Sequence, residues 1–190
     1  MEIRLLHVYK SFDNHRLFAD LNLTFREGRI HCLMGASGSG KTTLLSMLMG
    51  LEKPDSGEIK GMEGKRIAAV FQEDRLVEHW DGVKNVKLVC AGAMTRQEIA
   101  AELKEVGIDE AWGKAVRNFS GGMRRRVAIV RALLAESDIL ILDEPFKGLD
   151  EQTKMLVMAY VKKKTQGKTV ILVTHDKEEA KELDAELNVL

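Results

Sequence analysis

The sequence predicts an α/β fold with a mostly parallel sheet, an N-terminal antiparallel β flank and a small helical subdomain, and three observations predict it. The first is a set of short runs, Ile30 to Met34, Ile139 to Leu142 and Thr169 to Val173, that are apolar on almost every residue. Parallel strands covered on both faces have this texture. The second is alternation of apolar and polar residues over Ile3 to Val8 and Leu21 to Phe25, which predicts a half-exposed antiparallel pair. Two further short strands, near Glu58 to Ile59 and Ile67 to Val70, are expected to extend that flank. The third is a change of period from about Lys84 to Val116. Thr95 and Glu98 have capping-box spacing, Ile99, Leu103 and Val106 follow at helical intervals, and Gly107 can end the helix. A helical subdomain over roughly 84–118 follows, inserted in one domain that spans 1–190.

At 190 residues the chain can bury roughly 70% of the surface its unfolded form exposes, enough for one core. With 45% apolar and 31% charged residues it is neither disordered nor fibrous. Its 29 basic and 29 acidic residues balance, so binding of bulk nucleic acid by charge is not expected. Cys32 and Cys90 are too few for a disulfide framework, and a reducing compartment is the natural reading. No stretch approaches the roughly 18 apolar residues of a spanning helix, and the N-terminus lacks a signal peptide's apolar segment. A cytoplasmic protein is expected, whose membrane role would need a partner.

Each apolar run leads into residues able to do chemistry: Gly35 to Thr42, Asp143-Glu144, and Thr174-His175-Asp176. Ligands gather at the carboxyl ends of strands in open α/β sheets, so one shared site is expected. Gly35-Ala36-Ser37-Gly38-Ser39-Gly40-Lys41-Thr42 matches the P-loop (Walker A) pattern, and Leu44, Leu45 and Leu48 mark the helix after it. Its glycines let backbone N–H groups approach phosphate, Lys41 places charge on the β- and γ-phosphates, and the Thr42 hydroxyl can ligate Mg²⁺. Asp143 can hold Mg²⁺ through a coordinated water, and Glu144 can polarise the water that attacks the γ-phosphate. A P-loop NTPase core is the expected fold. Ser120-Gly121-Gly122 offers a second anion site, a capped helix start with bare N–H groups.

Gly35 to Thr42, Gln72, Ser120 to Gly122, Asp143-Glu144, Asp150 and His175 occur in this order. Together they resemble the nucleotide-binding subunit of an ATP-binding cassette (ABC) transporter, over nearly the whole chain. The resemblance implies ATP and Mg²⁺ as ligands, with Thr43 joining the P-loop contacts. It implies that Phe12 stacks on adenine, with Tyr9 as a rival and a core role for Phe12 as the plain alternative. It implies that Gln72 contacts Mg²⁺ and the attacking water, and that His175 contacts the γ-phosphate. Asp150 would shape the contact between subunits, and can also cap the helix that begins at Glu151. Arg124 to Arg126 are expected to be solvated and interface-forming, because three consecutive helical residues cannot face one ligand.

The resemblance further implies a head-to-tail homodimer or a pair with a related cassette, in which Ser120 to Gly122 serve the nucleotide of the other copy. Integral membrane permease subunits would be moved by the ATPase, with an extracytoplasmic solute-binding protein where the system imports. The expected place is the inner face of the cell membrane. The stretches Phe71 to Leu76 and Glu144-Pro145-Phe146 resemble the nitrate, sulfonate and taurine importer branch. Two features depart from the family pattern: Phe119 and Met123 replace its usual leucine and glutamine around Ser-Gly-Gly. Trp80 and Trp112 are candidate docking aromatics, although a core position is the stronger expectation. With the chain ending at Leu190, soon after His175, no further regulatory domain is expected. The competing reading is a cassette ATPase that acts as an assembly or mechanical factor; a P-loop kinase is more remote.

Overall fold

A computed structural model describes residues 2–13, 15–90, 92–109 and 111–190. The chain begins with β1 (Glu2–Phe12), β2 (His15–Arg26) and β3 (Ile30–Met34), then α1 (Lys41–Leu48), β4 (Ser56–Lys60) and β5 (Ile67–Val70). Next come α2 (Gly82–Lys87), α3 (Arg96–Glu105), a 3₁₀ turn at Val116–Asn118, and α4 (Gly121–Leu134). It ends with β6 (Ile139–Asp143), α5 (Glu151–Lys164), β7 (Thr169–Val173), α6 (Lys177–Glu182) and β8 (Glu186–Val189).

Five strands form a parallel sheet in the order β5-β6-β7-β3-β8, and three form an antiparallel sheet in the order β2-β1-β4. The central strands β6 and β7 are buried on every residue. Their side chains alternate between two cores, as the period of a strand requires. Ile139, Ile141, Ile171 and Val173 meet α1 and the antiparallel sheet, through Leu44, Leu48, Leu5 and Phe25. Leu140, Leu142, Val170 and Leu172 meet the helices on the other face, through Val127, Ile129, Val157 and Val161. The three expected parallel strands are therefore present and adjacent, and their carboxyl ends share one edge.

Ile67 to Val70 corrects the expectation that it extends the antiparallel flank. It pairs in parallel with β6, from Ile67 opposite Ile139 to Val70 opposite Leu142. Ala68 and Val70 enter one core while Ile67 and Ala69 pack on the other, which makes this a two-faced strand. The segment near Glu58 does join β1 as expected. Strand β8, on the far edge beside β3, was not anticipated; its residues alternate between intermediate and exposed.

In the helical insert, Thr95 and Glu98 form the capping box: the Thr95 N–H donates to Glu98 Oε2 at 2.6 Å and the Glu98 N–H to Thr95 Oγ1 at 3.2 Å. Gly107 follows the helix at φ 73°, where a glycine relieves the left-handed turn. The insert is tied to α5 by Glu102, which accepts from the Tyr160 hydroxyl at 2.6 Å and from Lys164 at 2.7 Å. Ala91 and Glu110, within the range of the expected subdomain, lie outside the described residues. Trp80 and Trp112 are 38% and 48% exposed, which overturns the expectation of core positions. They lie in irregular segments beside α2 and before the 3₁₀ turn, where the smaller Val83, Ala111 and Val116 fill the core instead.

Within the run Arg124 to Arg126 the expected solvation fails at Arg125, while Arg124 and Arg126 are half-buried. Arg125 is buried and donates to backbone carbonyls of Phe71 and Gln72, and Arg126 donates to Val106 and Gly107 carbonyls at 2.7 and 2.9 Å. Arg124 turns back to the Phe119 carbonyl at 2.7 Å. The three side chains do face different ways, but each points at backbone left without a ladder partner.

Candidate functional site

The Gly35 to Gly40 segment connects β3 to α1 in a tight turn, closed by the Ser39 N–H donating to the Ala36 carbonyl at 3.2 Å. Gly40 is the residue before α1 at φ 95° and ψ 10°, and no side chain caps this helix. Any Cβ at Gly40 would come within 2.5 Å of the Phe18 ring, and one at Gly35 within 2.5 Å of Ser39 Oγ. Glycine is thus required twice, once for a left-handed backbone and once for close packing. The first N–H groups of an uncapped helix have no intrahelical acceptor, so this end can receive an anion. Lys41 is 8% exposed and curls back over the loop, donating to the carbonyls of Gly35 at 2.8 Å and Ala36 at 2.9 Å.

Phe12, Leu17, Ser37, Gly38, Gly40, Lys41, Thr42, Thr43, Gln72, Asp143, Glu144, Val173 and His175 line one open cleft of about 290 Å³. This brings together most of the expected site residues from five separate stretches of chain. Gly35, Ala36 and Ser39 complete the loop beneath it. Phe12 is 45% exposed and faces this cleft with Leu17, so its core alternative falls. Tyr9 is not among the lining residues. The Lys10 ammonium stands 5.0 Å from the Phe12 ring centroid and braces it.

Asp143 ends β6, buried, with a pKa raised by burial and by Glu144, against a hydrogen bond from Gln72. Its Oδ1 is buried without a hydrogen-bond partner among the described residues. An unpaired buried carboxylate oxygen is costly unless a cation or donor serves it. The Thr42 hydroxyl and the Gln72 amide line the same cleft, so this donor set is hard oxygen and fits Mg²⁺. Glu144 turns the chain at φ 47°, its N–H donating to the Val173 carbonyl at 2.9 Å. Its carboxylate meets Lys147 Nζ at 2.6 Å and His175 Nε2 at 3.1 Å. The Lys147 hydrogen bond holds its pKa below the ordinary carboxylate range, against the opposing effect of burial.

Ser120, Gly121, Gly122 and Asp150 are not among the residues lining this cleft. Ser120 Oγ caps α4 by accepting from the Met123 N–H at 3.1 Å. Only backbone is used at Met123, so the departure from glutamine there leaves the cap intact. Phe119 is buried in the helical core at 4% exposure, where its bulk replaces the family leucine. Asp150 caps α5, accepting from the Thr153 N–H at 3.0 Å.

Leu17, Val173 and Lys147 were not foreseen at the site. Leu17 carried a faint signal, an apolar residue next to buried Phe18 on β2. Lys147 carried none, because its contact depends on the turn that follows Glu144.

A P-loop between a parallel strand and a helix, an acidic pair at the end of β6 with only β7 between the two strands, and a separate capped Ser-Gly-Gly helix define a nucleotide-binding cassette. The chain belongs to the ABC transporter family, whose profile matches residues 18–147. It is 40% identical over 182 residues to the aliphatic sulfonates import ATP-binding protein SsuB 2 of Pseudomonas syringae pv. syringae, covering 94% of this chain and 65% of that protein. It is 37% identical over 203 residues to the taurine import ATP-binding protein TauB of Escherichia coli K12, covering 99% and 79%. With the sulfate/thiosulfate import ATP-binding protein CysA of Xanthomonas campestris it shares 34% over 210 residues, and it spans 61% of that protein. The fold superposes on the dimeric, post-hydrolysis structure of the ATP-binding cassette MJ0796 bound to ADP and Pi, with a TM-score of 0.85, 30% identity and coverage of 99% of this chain and 94% of that one. The expected family and fold are borne out.

Proposed function

We propose that this chain is the ATP-binding and ATP-hydrolysing subunit of an ABC transporter, powering solute movement through separate membrane subunits. The observation that carries it is the meeting of Lys41, Gln72, Asp143, Glu144 and His175 in one cleft, while the Ser120 helix start is absent from its lining. A second anion site outside the first is what a shared site between two copies needs. The relatives named as import ATP-binding proteins favour transport over the assembly-factor reading, and make import the direction proposed. Their named solutes suggest a small sulfur oxyanion as cargo.

In this reading residues 1–190 act as one ATPase domain with its helical subdomain at about 84–118. Phe12 stacks on adenine, while the Gly35 to Thr43 backbone and Lys41 receive the phosphates. Thr42, Gln72 and Asp143 would hold Mg²⁺, which when bound offsets charge on the phosphate oxygens. Glu144, kept ionised by Lys147, accepts the proton of the attacking water, and His175 bridges from Glu144 toward the γ-phosphate. The partner copy contributes Ser120 to Gly122, with Asp150 at the contact. ATP then joins the two copies, and loss of the γ-phosphate loosens them and changes the membrane subunits. The chain works at the cytoplasmic face of the membrane, held by permease subunits, with a solute-binding protein outside.

Co-expression with candidate permease subunits tests this directly. A stable complex of two copies with a membrane pair, hydrolysing ATP, is expected. Recovery of only a soluble partner would overturn transport.

A further inference from the structure

Arg125 lies in α4 at 8% exposure and reaches the segment that carries Gln72. Its Nη1 donates to the Phe71 carbonyl at 2.5 Å, its Nη2 to the Gln72 carbonyl, and its Nε stands 3.3 Å from Asp74 Oδ1. Arg131, almost two turns along the same helix, donates to the carbonyls of Asp74 at 2.9 Å and Arg75 at 2.8 Å. The segment from Phe71 to Arg75 belongs to no helix or strand, and Arg75 sits at φ 47°. Four of its five carbonyls are therefore taken by two guanidinium groups of one helix. A loop without ladder partners needs such acceptors filled, and a planar fork fills two at once in fixed geometry.

Gln72 is thus held by its backbone, which hangs from α4, while its side chain lines the cleft together with Asp143 at the end of β6. The helix that grips it is the one whose first residues are Gly121 and Gly122, capped by Ser120. A displacement of that helix is carried to Gln72 through a buried charged contact, because the guanidinium cannot leave its carbonyls without stranding a charge.

We propose that Arg125 is a positioning residue for hydrolysis, setting Gln72 in the cleft and making its place depend on α4. The inference rests on the reading of Gln72 as part of the hydrolytic site. Its test is a cycle of Arg125→Gln, Gln72→Ala and the double variant, in the full chain assembled with its partners, with kcat, KM for ATP and Tm measured for each. Misplacement of a positioned group costs on the order of 10- to 100-fold, so Arg125→Gln is expected to lose that much kcat with KM for ATP unchanged. The double variant is expected to be no slower than Gln72→Ala, since Arg125 acts through that residue.

Normal kcat in Arg125→Gln beside an impaired Gln72→Ala overturns the inference and leaves the Gln72 reading intact. Losses that multiply in the double variant overturn it too, assigning Arg125 a separate structural role. Normal kcat in Gln72→Ala overturns both. If Arg125→Gln does not fold, Arg125→Lys keeps the charge but not the fork, and an undiminished kcat there refutes the positioning role.

Discussion

Glu144→Gln is expected to separate chemistry from folding in this protein. The amide has the size of the carboxylate, so the turn at φ 47° and the backbone bond to Val173 are unaffected. What is lost is the negative charge between Lys147 at 2.6 Å and His175 at 3.1 Å, and with it the ability to take a proton. General-base catalysis contributes about 10²- to 10⁴-fold, which corresponds to roughly 2.7–5.4 kcal/mol of barrier. The stability lost is far smaller, since the partners' side chains are 71% and 52% exposed and such pairs contribute about 0.2–1 kcal/mol each. For a chain of this size that is a Tm change of a few degrees, at about 2–4 °C per kcal/mol. Steady-state phosphate release should therefore fall by at least about 10²-fold, while gel filtration with ATP shows an accumulated dimer and the melting midpoint shifts by no more than those few degrees. Hydrolysis at the unsubstituted rate would refute the role of Glu144. In the parent protein Lys147 lowers the pKa of Glu144, so this carboxylate keeps its charge below the ordinary glutamate value of about 4.3 and loses it only as pH falls through the lowered one.

Lys41→Ala removes a charge-assisted contact worth about 1.5–3 kcal/mol, and ATP affinity by equilibrium titration should drop roughly 10- to 150-fold. Mixing Ser120→Arg chains with Lys41→Ala chains should leave at most one intact shared site per mixed dimer, so some hydrolysis returns. If each chain used its own Ser120, no mixed dimer would recover any. Glu102→Ala strands the buried Tyr160 hydroxyl and should destabilise the chain by about 1–3 kcal/mol in urea melts, loosening the insert from α5. Burial opposes ionisation of Glu102, but the bonds from Lys164 and Tyr160 outweigh it and its pKa is lowered. The stabilisation it gives is accordingly full above the unfolded value near 4.3 and lost as pH falls through the folded one, and the alanine variant should lack this pH dependence.

The features read correctly from sequence were those whose partners lie a few residues away. Ser120 to Met123, Asp150 to Thr153 and Thr95 to Glu98 are caps closed within one turn, so the residue types and spacing contain the whole contact. The P-loop is equally local, since its glycines answer to backbone angles and to the turn into α1. Runs such as Ile139 to Leu142 announce themselves because a strand covered on both faces has no polar side.

Other features depended on what lay across the fold. Ile67 to Val70 is too short to show whether it has one buried face or two, and only its place beside β6 made it part of the parallel sheet. Trp80 and Trp112 look like core residues by size, yet the space was filled by smaller neighbours. Arg125 looks like surface by charge, but Phe71 and Gln72, more than fifty positions earlier, offer it carbonyls that nothing else fills.

By itself, then, the sequence determined the chemistry of this protein: a phosphate-binding loop, an acidic pair and a second capped helix start, each specified by short-range geometry. The tertiary structure decided which of these share a cleft, which aromatic faces it, and which helix holds Gln72. Those outcomes rest on contacts between distant segments, where burial and unsatisfied backbone carbonyls outweigh what any residue's type suggests.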